Sequence, residues 1–280
     1  MLEKNRPQII VAIISIIIIS IIFYGIAIEP KYFSVQSMPI YDNELPDSWN
    51  NTKIVVFSDC LVKDSHSSEF IQKITRKINE QNPDIIIYGG DLLNKNNVSE
   101  TFDQNLIEYL SMLRAPLGKF TIIGDNDIDE KLYPRIERIY QAAGFQIIND
   151  TNRHIYNNSL EAINIIPLNN STTVEKKNEL LATSNDVYSL LLTTSTNEFA
   201  NITAYPNIRI SFGFSTLGGN IGIPGIRNIL VDDNSNNYIH GTHKNGNQQL
   251  FVSSGLGIND NFPFRILNSP KIYSYTLIKN

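Results

Sequence analysis

Lys53–Asp59 reads KIVVFSD, an apolar, β-branched run that stops on Ser58 and Asp59. A run of this composition is a buried strand, and its end sets a carboxylate where the chain turns. The device occurs twice more. Asn82–Asp91, NPDIIIYGGD, delivers Asp91 behind two glycines, and Leu117–Asp127, LGKFTIIGDND, delivers Asp125 and Asp127. Asp59 to Asp91 is 32 residues and Asp91 to Asp125 is 34, close to the roughly 30 or more that one strand–helix–strand unit occupies. Three parallel strands at this spacing bring their acidic ends to one edge of one sheet, where open α/β sheets hold their sites.

The stretches between these runs have helical periodicity. Ser67 or Ser68 can cap a helix that gathers Ile71, Ile74 and Ile78 on one face before Asn82 and Pro83 end it. Phe102, Leu106, Leu110 and Leu113 form a second stripe, and Ile136, Ile139 and Ala143 a third that stops at Gly144 in a C-cap position. The second half differs. Ala162–Ile166, Tyr188–Thr193, Ile208–Phe212, Gln249–Ser253 and Lys271–Leu277 have strand composition, and only Glu175–Leu181 looks helical. A second sheet packed on the first, in a layered α/β sandwich, is the architecture that fits. The polar, Asn- and Gly-rich Asp232–Asn247 reads as a hairpin loop.

The bulk properties narrow the function. The 280 residues are 42% hydrophobic, enough for a sizeable core, with a net charge of -5 and no run of Lys and Arg. Nucleic acid is therefore not an expected partner. Cys60 is the single cysteine, which leaves no disulfide framework and no Cys-based metal motif. It reads as a small buried hydrophobe.

Ile9–Ile28 holds twenty consecutive residues without a charge, matching the ~20 that a spanning helix needs. Lys4 and Arg6 precede it, while Glu29 and Lys31 cancel after it, which orients the N-terminus to the cytoplasm. The rival is a cleaved signal peptide with Gly25 and Ala27 as its small residues, but the apolar run exceeds the ~7–15 of such a leader. The expected organisation is a cytoplasmic N-terminus (1–8), a transmembrane anchor (9–28), a linker with Pro30, Pro39 and Pro46 (29–52), and one domain (53–280). The protein is then single-pass in the cytoplasmic membrane with its domain outside, and the membrane is its one identified partner.

From Lys53 to about Leu277 the chain resembles the calcineurin-like metallophosphoesterases, in particular their membrane-anchored bacterial branch. KIVVFSD looks like the family's opening block, S-D-x-H. NPDIIIYGGDLL is similar to the block whose Gly-Asp supplies a metal-bridging carboxylate, and APLGKFTIIGDND to the one ending G-N-H-D. LLLTTSTNEFA resembles L-L-S-H-x-P, GFSTLGGNIGIPG the block that contains G-H-T-H-G-G-Q, and LFVSSGLG with Pro263, Arg265 and Pro270 the closing segment.

The resemblance implies a layered sandwich and a site for two metals, and the departures fall on that site. Asp59 and Asp91 stand as the family has them, and the third-block Asn is Asp125. The first-block His position is Leu61, the fourth-block His is Thr194, and the fifth-block pair is Ser215 and Leu217. Asn126 stands where the family has its general acid, and an amide has no proton to give near neutral pH. His66, His154, His240 and His243 lie outside the ligand positions. His240 and His243 form H-x-x-H, but in a polar loop with no third ligand they read as surface histidines.

Leucine coordinates nothing, and imidazoles are what suit transition metals. The binuclear centre is therefore not expected. Asp91, Asp125, Thr194 and Ser215 form an oxygen-only set that fits one weakly bound Mg2+, Mn2+ or Ca2+, with Asp59 beside it. The three aspartates also have an ordinary reading as strand-end turn formers and caps. Gly218 and Gly219 are expected at positive φ in a turn, and Arg265 either grips a phosphate or pairs with a nearby carboxylate. The expected function is a catalytically degenerate binding or scaffold module. The alternatives are a phosphomonoester or phosphodiester hydrolase working with one hard cation, and a structural membrane protein without a pocket.

Overall fold

The computed structural model describes residues 6–63, 67–94, 102–219, 235, 237–258 and 263–280. Helix α1 (Arg6–Ala27) comes first, followed by β1 (Ser34–Tyr41). The first half then alternates as expected: β2 (Lys53–Phe57), α2 (Ser67–Asn79), β3 (Ile85–Tyr88), α3 (Asp103–Ser111), β4 (Gly118–Thr121), α4 (Tyr133–Ala142) and β5 (Gln146–Ile147). The second half carries β6 (Arg153–Tyr156), β7 (Ala162–Leu168), α5 (Val174–Ala182), β8 (Ser189–Thr193), β9 (Ile208–Gly213), β10 (Gly241–Asn245), β11 (Gln248–Val252) and β12 (Lys271–Ile278).

These strands form two six-stranded sheets, ordered β1-β12-β2-β3-β4-β5 and β10-β11-β9-β8-β7-β6. Strands β2, β3 and β4 are adjacent and parallel, in register from Ile54↔Ile85 and Ile85↔Gly118, so their carboxyl ends share one edge. Strands β7, β8, β9 and β11 are likewise parallel. Alternation along each strand decides which layer a side chain joins. Ile54, Val56, Ile85 and Ile87 meet Ile165, Leu190, Leu192 and Phe212 between the sheets. Val55, Phe57, Ile86 and Tyr88 face the helices, against Ile71, Leu106 and Ile139. Leu180, Leu181 and Phe199 cover the outer face of the second sheet at Ile166, Leu191 and Leu250. Both faces of each central strand are thus buried, which is why these segments are continuously apolar rather than alternating.

Two expectations need correction. Residues 29–52 are not simply a linker: β1 lies within them, pairs with β12 and puts Ile40, Leu45 and Trp49 into the core between the sheets. Its prolines mislead because β1 is an edge strand, where Pro39 needs no ladder bond on its open side. The polar stretch assigned to a hairpin loop contains β10, an edge strand of the second sheet, whose mostly exposed residues have no need of apolar character. The rest of that stretch falls partly outside the described residues.

Helix α1 has 22 residues, about 33 Å at 1.5 Å per residue. It is apolar on every side, with Ile9, Ile10, Ile13, Ile16 and Ile19 all about half exposed or more. Among the described residues it is the one helix long and apolar enough to cross a membrane.

Candidate functional site

Asp59, Asp91 and the Gly124–Asp127 turn follow β2, β3 and β4, while Thr194 and Ser215 follow β8 and β9. Side-chain bonds close the gap between the sheets: Ser215 Oγ donates to Asp91 Oδ2 at 3.3 Å, and Thr194 Oγ1 donates to Asp125 Oδ1 at 3.2 Å. All five oxygen-bearing residues predicted for the site therefore lie at one edge, in two groups. Gly124 permits the approach, because a Cβ there would sit 2.3 Å from Asp91 Oδ1.

The loops are held in costly backbone. Asp59 (φ 51°), Leu61 (φ 44°), Asp91 (φ 59°), Ser215 (φ 64°) and Leu217 (φ 49°) all occupy the left-handed region, at about 1–2 kcal/mol each for a non-glycine residue. Gly218 (φ 58°) and Gly219 (φ 74°) adopt the positive φ expected of them. Strain of this kind persists only where surrounding contacts fix it, and it concentrates at functional sites.

The electrostatics centre on buried carboxyls. Burial first, then the charge of Asp91, pushes Asp59 well above the usual carboxylate range. Ser58 Oγ donates to Asp59 Oδ2 and lies 2.8 Å from Ser253 Oγ. Burial also raises Asp91, which accepts from the Asn126 backbone N–H at 2.7 Å. Desolvation is the largest cause of both shifts.

Two residues without an assigned role prove structural to the site. Asp127, fully buried, accepts N–H groups from Asp91 (2.8 Å), Gly124 (3.1 Å) and Leu92 (3.3 Å). Burial and the neighbouring Asp91 outweigh those donors and push its carboxyl up to about 8. Asn170 Nδ2 donates to Asp125 Oδ2 at 2.7 Å, and nothing in the local sequence announces it. Asp127 had a signal, a second carboxylate two residues past Asp125.

Arg265 answers neither expectation directly. Its guanidinium is fully buried and bonds the backbone carbonyls of Ser254 (2.8 Å), Gly257 (2.6 Å) and Asn268 (3.2 Å). It stabilises ionised Asp59 only through its field, and burial brings its own pKa down to about 10. His240 just precedes β10 and His243 lies on it, with His243 Nε2 2.9 Å from the His240 carbonyl. His154 is exposed on β6, and His66 lies outside the described residues. The Cys60 thiol is buried and pushed up to about 12.

A binuclear transition-metal centre does not fit these residues. Leu61 and Leu217, where the resemblance places ligand histidines, offer no donor atom. The Asp91, Asp125, Thr194 and Ser215 oxygens are chemically compatible with a single hard cation.

Residues 52–210 match the model of the calcineurin-like phosphoesterase family. Over 258 residues the chain is 26% identical to the uncharacterized metallophosphoesterase YkuE of Bacillus subtilis (strain 168), covering 91% of this chain and 89% of that protein. It is 29% identical over 149 residues to the UDP-2,3-diacylglucosamine pyrophosphatase LpxG of Chlamydia trachomatis serovar D, covering 53% of this chain and 36% of that one. Among solved structures, TT1561 of Thermus thermophilus aligns over 74% of this chain and 91% of its own, at 11% identity and a TM-score of 0.47.

Proposed function

The chain belongs to the calcineurin-like phosphoesterase family, and from that premise we propose that it is a catalytically degenerate, membrane-anchored member that works as a binding or scaffold module. One observation carries this reading: Leu61 and Leu217 stand at positions where the family resemblance places ligand histidines. Two-metal catalysis needs a clamp on both the attacking and the leaving oxygen and a water whose pKa a metal lowers. Two of the seven positions where the resemblance places metal ligands, Leu61 and Leu217, are leucine here, and Asn126 supplies no acid.

In this reading α1 is an uncleaved anchor in the cytoplasmic membrane, residues 1–8 are cytoplasmic, and the family domain beyond it is extracytoplasmic. Lys4 and Arg6 ahead of the apolar run support that orientation.

A second reading rests on the oxygen cluster of Asp91, Asp125, Thr194 and Ser215, which supports one weakly held Mg2+, Mn2+ or Ca2+ in an active phosphoesterase. The similarity to LpxG, a pyrophosphatase by name, favours hydrolysis as well. The two separate in one assay. Purified full-length protein in detergent, offered generic phosphomonoesters and phosphodiesters with each of the three cations, is expected to hydrolyse them no faster than an Asp91→Ala variant. Turnover tenfold or more above that variant rejects degeneracy and establishes the single-cation enzyme.

A further inference from the structure

The domain end of α1 meets a loop that is apolar wherever it is open to the outside. Residues 263–267 read PFRIL. Arg265, their one charge, is fully buried and spends its guanidinium on backbone carbonyls, while Pro263 and Leu267 are exposed and Phe264 and Ile266 half-buried. The loop touches α1 inside its uncharged run. Arg265 N donates to the Gly25 carbonyl at 2.9 Å, and a Cβ on Gly25 would lie 3.0 Å from Ile266 Cγ1. Gly25 precedes Ile28, where the uncharged run stops, so a bilayer that holds the run reaches the loop as well.

The acidic group at this level is turned inward too. Glu29 is buried, and its carboxylate accepts from Leu267 N (3.0 Å) and Asn268 N (2.7 Å). Charges are costly in hydrocarbon and persist beside it where protein atoms satisfy them. What stays outside suits a lipid surface. Leu267 is 70% exposed, and Tyr32, whose N–H donates to the Glu29 carbonyl, is 72% exposed. Tyrosine favours the membrane–water interface, and the exposed Lys31 can extend its ammonium to the headgroups. Leu267 also holds φ 54°, a backbone that a bulky residue rarely adopts, with its N–H fixed by Glu29. Its exposure is therefore imposed by contacts and is not the relaxed state of a free loop.

We propose that residues 263–267 and Tyr32 form a second membrane contact: the loop enters the lipid surface beside α1 and seats the domain on the bilayer. The proposal rests on the anchored reading of α1, and the bilayer is the occupant because it is continuous with the lipid around that helix. The candidate site then faces the headgroups, since Arg265 holds the Gly257 carbonyl and Gly257 N donates to the Asp59 carbonyl at 2.6 Å. Leu160, 96% exposed just ahead of β7, lies at the opposite edge of the sheets and serves as the reference. The full chain is reconstituted in phosphatidylcholine vesicles with one spin label at a time, on Ile16→Cys, Tyr32→Cys, Leu160→Cys or Leu267→Cys. Cys60 is buried and stays unlabelled. Collisions with oxygen, which concentrates in lipid, are compared with collisions with a water-soluble nickel chelate. The oxygen-to-nickel ratio at Tyr32→Cys and at Leu267→Cys is expected to exceed that at Leu160→Cys several-fold. All four positions are exposed, so the thermal unfolding of each labelled chain should match the parent. A ratio at Tyr32→Cys or Leu267→Cys no higher than at Leu160→Cys overturns the seating, and a high ratio at Ile16→Cys then leaves the anchor standing. Labels shielded from both agents would mean that protein covers the loop, which also overturns the seating. A low ratio at Ile16→Cys overturns the anchor and the seating together.

Discussion

Asp127 shows how a residue outside the metal positions can govern the site. By accepting N–H groups from Asp91, Leu92 and Gly124 it locks the turn after β3 to the turn after β4. Its role depends on backbone 36 residues away in the chain, Asp91 to Asp127, so the local pattern reveals the carboxylate and not its task. The same holds for Asn170, whereas Asp59 and Asp91 are legible because a strand-end carboxylate announces itself. A pH dependence follows. The unfolded chain releases the Asp127 proton near its ordinary value of 3.8, and the folded protein near 8. Between those limits the unfolded state binds fewer protons, so stability is greatest in acid and falls as pH rises. Asp59 and Asp91 shift in the same direction. In chelator-containing buffer the melting temperature of the domain is expected to fall steadily as pH is raised from about 5 to about 8. Asp127→Asn should flatten part of that slope while costing about 1–3 kcal/mol at the acid end, because its amide faces donors. A melting temperature that rises over this interval would show the carboxyls to be held ionised instead.

Strand β1 marks where element-level reading stops. Central strands are recognisable because both faces need apolar residues, and the spacing of βαβ units then orders them. An edge strand has neither constraint: β1, with Pro39 and a largely exposed pattern, and β10, almost wholly polar, are chosen by their partners rather than by their own composition. What β1 contributes becomes visible just past its end. Asp42, buried, takes the Arg209 guanidinium on both oxygens (2.6 and 2.8 Å) and the Tyr188 hydroxyl at 3.0 Å. Arg209 lies on β9 and Tyr188 just ahead of β8, so one carboxylate fastens the outermost strand of the first sheet to the middle of the second. Removing it would leave a buried cation and a buried hydroxyl unpaired. Asp42→Ala is expected to destabilise the domain by about 3–5 kcal/mol, measured by urea unfolding. A double-mutant cycle with Arg209→Ala should show strong coupling, and a cost under about 1 kcal/mol would reduce the clamp to the standing of a surface pair.

At the scale of the whole molecule, α1 is joined to the domain as well as preceding it. Gly25 is packed so closely that a Cβ would lie 2.7 Å from the Arg265 carbonyl, and Glu29 is buried against Leu267 and Asn268. Asn268 in turn donates to the Leu217 carbonyl at 2.8 Å, so a short chain of contacts runs from the helix end to the site. The length and uniform apolarity of α1 were legible in the sequence, but its docking depends on loop residues some 240 positions away, as Glu29 to Asn268 shows. Docking also bears on whether the segment is a leader. Cleavage near Gly25 or Ala27 would sever the helix from contacts the folded domain makes with it, which argues for retention. In the proposed topology the side rests on charge: Lys4 and Arg6 precede α1, while Glu29 and Lys31 cancel after it. Protease added to intact spheroplasts is therefore expected to digest the domain and leave a membrane-embedded fragment containing α1, identifiable by its mass. A domain released whole into the medium would mean that the segment is a cleaved leader, and a domain digested only after lysis would mean that the topology is reversed.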